Sequence, residues 1–310
     1  MRNSSSIAAF ATVLLCCMAG PASAATDPGF LVQRFDAAPA GAGWLTQDNL
    51  NLSGGLGGAV SLTTGYAHNP LILHSGSQSL SLVTDQAHAN IGFAITYDRY
   101  RLSFDLASPL YVRGQSGTLA GVDYTAPRLD IASHPDSITD VRIGLDARVF
   151  GQVGGPLRLG VGAQLFVPSA DQSDYMSDGT YRGLLRVMAA GDIGGFTYAA
   201  MLGAHIRPLL GHEMAYGAGA GWRFVLGEAT TSLVVGPELF GTTQVTGAGQ
   251  TALEGLLTGR LEVRDHDGHA VRVKLGVGGG VGQQSGAAEW RAVVGVEVLG
   301  LAGAGTETAR

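Results

Sequence analysis

The sequence predicts an all-β fold: a closed antiparallel transmembrane up-and-down β-barrel of about 12 strands. Three observations predict it. Short runs alternate apolar and polar residues again and again, the links between these runs alternate in length, and no stretch of about twenty apolar residues occurs after the N-terminal leader. Together they favour a chain that crosses a membrane with strands rather than with helices.

The run 140–149 shows the alternation most clearly. Val141, Ile143, Leu145, Ala147 and Val149 occupy one face. A period of two is typical of a strand with one apolar and one polar side. Several charges on one side do not fit a dry core, and a barrel with lipid outside and a polar interior accommodates them. The charged face of this run consists of Asp140, Arg142, Asp146 and Arg148.

Twelve such runs can be counted, most of them long enough for a tilted strand to cross a bilayer. A soluble β-sandwich is the alternative, but its apolar inner face would leave most arginines on the other side. We predict strands at 56–67, 87–97, 100–112, 138–151, 155–168, 181–193, 195–207, 213–226, 229–243, 251–264, 269–283 and 287–299.

The links carry independent information about topology. Short links rich in Gly or Asp lie at 98–99, 152–156, 194–195, 227–228 and 265–268. Longer links lie between them at 68–86, 113–137, 169–180, 208–212 and 244–250. Membrane barrels have short periplasmic turns and longer external loops, so both barrel ends are expected on the periplasmic side. The 113–137 link could fold inward as a constriction or project outward as a receptor surface.

The chain divides into four parts. Residues 1–24 read as a secretory signal peptide, with Arg2, an apolar stretch and a small-residue cleavage pattern at 22–24. Residues 25–55 form an N-terminal periplasmic or plug-like segment, residues 56–300 the outer-membrane β-barrel and residues 301–310 a flexible tail. Cys16 and Cys17 both fall in the leader, so the mature chain has no disulfide or thiolate metal site.

The inward positions hold most of the charge, with 13 basic against 8 acidic residues by this assignment. Cross-bracing by Arg–carboxylate pairs is one interpretation and an ion-selective channel wall is the other. The excess predicts a mild preference for small anions if a path exists. The principal lumen-lining charged residues are Arg101, Asp105, Asp140, Arg142, Asp146, Arg148, Arg158, Arg182, Arg186, Arg207, Arg223, Glu238, Arg260, Glu262, Arg272, Lys274, Arg291 and Glu297.

Aromatic residues cluster near the strand ends on the outward face. Amphipathic rings favour the boundary between membrane and water. The membrane-interface aromatics are predicted to be Tyr97, Tyr100, Phe196, Trp222 and Phe224 at the periplasmic end, and Tyr66, Tyr181, Tyr216 and Trp290 at the outer end.

Glycine fills many remaining inward positions, such as Gly160, Gly217, Gly219 and Gly276. The missing side chains leave room for water or for the segment before the barrel. That segment contains the apolar stretch 30–35 and Trp44, so it is too apolar for a free tail. The sequence leaves open whether it is a periplasmic strap or a partial plug.

Five stretches resemble the N-terminal barrel region of myxobacterial OmpA-family outer-membrane proteins. They are FLVQRF at 30–35, YAHNPLIL at 66–73, QLFVP at 164–168, AGDIG at 190–194 and GPELFG at 236–241. The resemblance implies an outer-membrane barrel over nearly all of the mature chain. In that family a calcium-repeat linker and a peptidoglycan-binding domain typically follow. This sequence stops at Arg310, so peptidoglycan contact is not expected.

The residues favour no catalytic site, cofactor or metal. The eight histidines show no metal-ligand or nucleophile spacing, and no Gly-x-Ser-x-Gly elbow occurs. The acidic stretch 171–178 lacks the EF-hand spacing and is expected to be a solvated external loop, with a loose divalent-cation contact near lipopolysaccharide as the alternative. The net charge of −6 gives no case for nucleic-acid binding.

A cell outer-membrane protein with limited passive diffusion of small solutes is therefore the first expectation. A structural or surface-interaction barrel with a closed lumen is the second, and an outer-membrane lipid hydrolase the third. Expected partners are outer-membrane lipid, lipopolysaccharide and, during insertion, the barrel-assembly machinery.

Overall fold

A computed structural model describes residues 31–52, 55–135, 137–169, 176–209, 211–227, 230–246, 250–266, 268–281 and 286–301. The fold is all-β, and its centre is a closed antiparallel barrel of twelve strands. No helix in these ranges is long and apolar enough to span a membrane. The predicted fold class is confirmed.

Fifteen strands occur in the described parts of the chain, and twelve of them, β1–β3 and β7–β15, form the barrel. Their bounds are β1 (Leu56–Ser75), β2 (Gln78–Tyr97), β3 (Tyr100–Arg113), β4 (Gly117–Leu119), β5 (Val122–Tyr124), β6 (Leu129–Asp130), β7 (Val141–Phe150), β8 (Arg158–Val167), β9 (Arg182–Ile193), β10 (Phe196–Ile206), β11 (Glu213–Leu226), β12 (Thr231–Gln244), β13 (Thr251–Arg264), β14 (Ala270–Gly280) and β15 (Trp290–Leu301).

The barrel closes between its first and last strands. Strand β1 pairs antiparallel with β15 from Gly57 opposite Leu301 to His68 opposite Trp290. Every other barrel strand pairs with its neighbours along the chain, and β3 pairs with β7 across the insertion that carries β4–β6. A closed ring leaves no free strand edge, as a barrel in lipid requires.

The short links collect at one end of the barrel, here called the short-turn end. Its two-residue turns need left-handed backbone, which Asp98 (φ 52°) and Gly194 (φ 59°) supply. The chain also enters β1 and leaves β15 at this end. The opposite end carries the longer links and is called the loop end.

The link predicted at 68–86 is wrong. Strands β1 and β2 are each 20 residues long and continue as one hairpin to a turn at Gly76 (φ 59°). Register shifts near Leu71 interrupt the ladder without ending it. Asn69 and Pro70 suggest a break in the sequence, but cross-strand pairing carries the hairpin beyond them. The other predicted strands match to within four residues.

The link between β3 and β7 contains three short strands. Its β4–β5 hairpin is separate, whereas β6 adds to the edge of β3. Leu129 of β6 is buried against Val32, Leu71 and Met176 at the loop end. This cluster covers one mouth of the barrel.

The outward face of the barrel is apolar all the way round. Each barrel strand exposes at least one large apolar side chain, with exposed fractions such as 54% for Leu102, 56% for Val187 and 60% for Leu257. One example from each strand is Leu62, Phe93, Leu102, Leu145, Val161, Val187, Leu202, Phe224, Leu239, Leu257, Leu275 and Val294.

Candidate functional site: the barrel lumen

Residues 31–52 lie inside the barrel and are called the lumen segment. Phe35, Trp44, Leu45 and Leu50 are each at most 3% exposed, although they belong to no barrel strand. Their neighbours are inward-facing residues of the wall: Phe35 packs on Phe240 of β12 at 5.8 Å between ring centroids. The sequence left strap and plug as alternatives, and these contacts are those of a plug.

The lumen segment runs from the loop end to the short-turn end. Leu31 N donates to Asp178 at the loop end, at 2.9 Å. At the other end Asn51 Oδ1 accepts a hydrogen bond from Gly154 N, in the turn between β7 and β8. Between them the segment folds on itself, with Ala38 N donating to Leu45 O at 2.8 Å and Asn49 N to Ala42 O at 2.8 Å.

Wall glycines make room for the segment. A Cβ on Gly217 would overlap Gln47, one on Gly276 would overlap Leu45, and one on Gly160 would lie 2.7 Å from Leu50 Cδ2. Close packing forbids such approaches. The inward glycines predicted to leave space therefore face the lumen segment.

Six cationic side chains of the wall donate to backbone carbonyls of the lumen segment. Charge-assisted bonds of this kind are stronger than neutral ones. Arg148 and Arg260 form such bonds without an ion pair among the described residues, whereas the other four also have carboxylate partners. The six bonds are Arg142–Ala37 O (2.6 Å), Arg148–Leu50 O (3.2 Å), Arg158–Asn49 O (2.8 Å), Arg260–Gly43 O (3.0 Å), Arg272–Gly41 O (3.2 Å) and Lys274–Trp44 O (3.0 Å).

Glu238 of β12 binds the donors of the same segment. Its carboxylate accepts from Leu45 N at 3.0 Å, Thr46 N at 2.9 Å and Thr46 Oγ1 at 2.8 Å. Glu238 is 1% exposed, so these three bonds replace its water. The wall thus holds both acceptors and donors of the segment backbone.

Near the loop end, three basic and three acidic side chains form the outer ionic cluster. Arg207 bridges Asp178 (2.7 Å) and Glu213 (2.5 Å). Arg34 of the lumen segment also reaches Glu213, at 3.1 Å. Arg182 reaches Asp140, at 3.0 Å. The charges of the cluster balance. Its members are Arg34, Arg182, Arg207, Asp140, Asp178 and Glu213.

Asp178 was predicted to be part of a solvated acidic loop, and that prediction is wrong for this residue. It is 2% exposed. Burial alone would raise the pKa of Asp178, but hydrogen bonds from Arg207 and the charge of Arg182 hold that pKa below its usual range. Asp171 and Asp174, the other acids of that loop, lie outside the described residues.

Further ion pairs brace the wall. Asp146 of β7 accepts from Arg101 of β3 and Arg186 of β9, each at 2.7 Å. Arg291 of β15 and Glu254 of β13 form a two-pronged pair at 2.7 and 2.9 Å. These pairs connect adjacent strands and strands separated by one other strand.

The short-turn end of the lumen differs from the loop end because it contains a larger cavity. A cavity of about 390 Å³ opens there and is called the basic cavity. Val153 and Gly268, in two short turns, lie at its rim. Its charged lining residues are Arg101, Arg223, Arg260, Arg264, Arg272 and Glu262.

The eighteen charged residues predicted to line the lumen all lose most of their exposure. Fifteen are buried, whereas Arg148, Arg223 and Glu262 are half-buried. Sequence reasoning missed Arg34, Asp48 and Asp178, which come from the lumen segment and a loop. The alternation of inward and outward positions along a strand makes no prediction for such residues.

Of the nine predicted interface aromatics, seven are exposed and two are half-buried. Tyr97 lies opposite Tyr100, and Phe196 opposite Trp222, at the short-turn end. The ring of half-buried Tyr66 packs on Trp290 at 4.8 Å between centroids, tilted by 42°, and its hydroxyl donates to Asp85. Half-buried Tyr216 is hydrogen-bonded to Thr243, at 3.2 Å. Exposed Tyr181 and Phe224 complete the set.

No family model and no curated protein matches the sequence. Among solved structures, the COG4313 outer membrane channel from Pseudomonas putida F1 is similar at a TM-score of 0.51 and 13% identity, over 89% of this chain and 99% of that chain. LpxR from Salmonella typhimurium follows at a TM-score of 0.40 and 12% identity, over 78% and 99%. The beta domain of a Bordetella autotransporter has a TM-score of 0.38 and 13% identity, over 78% and 98%. The first similarity supports the barrel fold and nothing finer.

Proposed function

We propose that this chain is an integral outer-membrane β-barrel that acts as a narrow channel, closed by its lumen segment. Small polar solutes pass by diffusion when that segment is displaced. One observation carries the proposal: the ring of strands is complete without the segment, and its inner wall is charged. A twelve-stranded barrel lies between filled eight-stranded barrels and open sixteen-stranded porins.

The outer surface supports insertion into a membrane. A continuous belt of exposed apolar side chains would aggregate in water, because soluble monomers rarely expose such patches. Exposed aromatic pairs at the short-turn end match an interfacial girdle. The partners are then outer-membrane lipid and lipopolysaccharide, with barrel-assembly machinery during insertion and a cleaved signal peptide at residues 1–24.

The chemistry of the wall supports displacement of the segment. Hydrogen bonds with charged wall groups hold the segment backbone along much of its length. Water can replace each of these when the segment leaves, whereas the apolar contacts of Phe35, Trp44 and Leu45 with the wall oppose displacement. The excess of inward arginines favours small anions in the open state. Cation preference in reversal potentials would contradict that selectivity.

A structural barrel with a permanently closed lumen is the second candidate. The density of contacts favours it, since Arg34 and Asp48 of the segment form ion pairs with Glu213 and Arg101. The proposal includes no catalytic activity, and lipid hydrolysis by the purified protein would contradict that part. Kinship with the OmpA-family barrels rests on the sequence resemblance alone.

Planar-bilayer conductance separates the two candidates. The folded protein is compared with a variant that lacks residues 31–52, and folding of each is checked by the altered electrophoretic mobility of unheated barrels. We expect brief, small openings from the intact chain and a steady, larger conductance from the shortened one. A shortened barrel that folds but does not conduct would favour the structural candidate.

A further inference from the structure

The basic cavity at the short-turn end contains more positive charge than its lining neutralises. Five arginines and one glutamate line it. Four of the arginines have carboxylate partners: Arg101 pairs with Asp48 and Asp146, Arg223 with Asp192, Arg264 with Glu262, and Arg272 with Glu262 and Glu297. The fifth, Arg260, has no ion pair among the described residues.

Arg260 is built into the wall rather than free in solvent. It is 7% exposed, and its Nη1 donates to Gly43 O at 3.0 Å. The guanidinium lies 5.8 Å from the ring centroid of Trp44. Its Nε is buried and has no hydrogen-bond partner among the described atoms. A buried guanidinium with no carboxylate within ion-pair distance is costly, so its surroundings favour a bound anion.

We propose that the basic cavity binds a small molecule bearing a phosphate group, with Arg260 as the central ligand. Arginine forks match the oxygen geometry of phosphate better than they match a spherical halide. Arg223, Arg264 and Arg272 lie around the same space, so more than one oxygen can be bound. The volume of about 390 Å³ exceeds what a bare ion needs and lies within the range of small-molecule sites.

The remaining lining fits an organic moiety attached to the phosphate. Asn49, Asn51, Thr96 and Ser232 supply neutral hydrogen-bonding groups beside the arginines. A sugar hydroxyl is their natural complement. The site needs the lumen segment in place, because Asn49, Asn51 and Gly41 belong to it. It is therefore independent of conduction and exists in the closed barrel.

The test uses tryptophan fluorescence of the full-length barrel in detergent. The chain has three tryptophans, so replacing exposed Trp222 and Trp290 by phenylalanine leaves Trp44 as the sole reporter beside Arg260. Inorganic phosphate and glucose 6-phosphate are titrated at constant ionic strength, with glucose and potassium chloride as controls. Tighter binding of glucose 6-phosphate identifies an ester site, whereas tighter binding of inorganic phosphate identifies a site for the free oxyanion. Either result supports the proposal.

Variants locate the bound phosphate. Arg260→Gln should weaken phosphate binding at least tenfold, whereas Arg113→Gln, which removes an exposed arginine at the far end of β3, should change it less than twofold. Ser232→Asp, which adds a carboxylate to the cavity lining without touching Arg260, should also weaken it at least tenfold. This second variant keeps the proposal testable if Arg260→Gln does not fold.

Three outcomes overturn the proposal. The first is no saturable response to either phosphate below about 10 mM, which corresponds to less than about 3 kcal/mol of binding. The second is equal saturation by chloride. The third is equal weakening of phosphate binding by Arg113→Gln and Arg260→Gln, because the overall electrostatic field of the protein would then account for the binding.

Discussion

The two ends of the lumen differ in how their arginines are neutralised. Near the loop end, the outer ionic cluster sets three basic against three acidic side chains, and an apolar cluster around Val32 lies beside it. At the short-turn end, five arginines meet one glutamate around open space. Among the described residues, the outer ionic cluster at the loop end is charge-balanced, whereas the lining of the basic cavity at the short-turn end has more arginines than carboxylates.

This difference shows how one set of inward arginines can serve two purposes. Where carboxylates accompany them, arginines cross-brace the wall and bind Arg34 of the lumen segment into the network. Where carboxylates are fewer, an arginine such as Arg260 binds a backbone carbonyl, which leaves its charge without an ion pair among the described residues. The first arrangement stabilises closure, and the second leaves capacity for a ligand.

Removing one arginine from each end of the lumen should lower the free energy of unfolding by unequal amounts. Arg207→Ala removes one ion-pair partner from both Asp178 and Glu213, which keep Arg182 and Arg34, and breaking two buried ion pairs costs about 3 kcal/mol. Arg260→Ala strands no carboxylate and loses one hydrogen bond, about 1 kcal/mol. Guanidinium unfolding in detergent measures both. Equal losses would contradict the contrast between the ends.

Filling a wall glycine should displace the lumen segment. Gly217→Leu places a side chain where Gln47 lies, and overpacking of this kind costs about 2 kcal/mol. Gly259→Leu is the matched control, because a Cβ there meets nothing within 4 Å. Limited proteolysis between residues 40 and 52 reports displacement. Equal cleavage of both variants would show that Gly217 does not accommodate the segment.

Weakening the acceptor that holds Leu45 and Thr46 should loosen the segment without unfolding the barrel. Glu238→Gln keeps the shape but replaces one acceptor oxygen by an NH2 donor and removes the charge, so at least one of the hydrogen bonds is lost and we expect a cost of about 2 kcal/mol. Amide hydrogen exchange at Leu45 and Thr46 should accelerate several-fold. Unchanged exchange at both amides would mean that the fold of the segment itself protects them.

Acid should loosen the loop end through Asp178. Because the pKa of Asp178 in the folded protein is below its ordinary value, its contribution to stability is complete above the ordinary value. That contribution is lost as the pH falls through the lowered pKa, where the carboxylate takes up a proton. Hydrogen exchange at Leu31, which donates to Asp178, should then accelerate on acidification. Asp178→Asn should abolish the acceleration of exchange at Leu31 on acidification. An acceleration of unchanged size in the variant would mean that a different group takes up the proton.

Local sequence patterns predicted the strands and the inward charges of the wall, but not the contacts of the lumen segment inside it. Alternation from Asp140 to Val149 is set by a period of two, so strands and inward charges follow from it. The ion pair of Arg34 with Glu213 joins residues 179 positions apart, and no local pattern encodes it. Inward glycines such as Gly217 indicated space, but the same glycines suit water equally well. The hairpin of β1 and β2 was missed because pairing overrides the local break at Asn69 and Pro70.

The most direct test of closure by the lumen segment is to crosslink that segment to the wall. A Cβ on Gly92 would lie 3.6 Å from that of Ala40, a separation that suits a disulfide, although the side-chain ends of Ser61 and Asp105 must shift to admit it. The chain's own cysteines are Cys16 and Cys17, in the predicted leader. Ala40→Cys with Gly92→Cys is compared in planar bilayers with each single variant, before and after reduction. We predict that the oxidised double variant shows no openings and that reduction restores those of the single variants. Equal conductance in the oxidised and reduced states would contradict closure by the lumen segment.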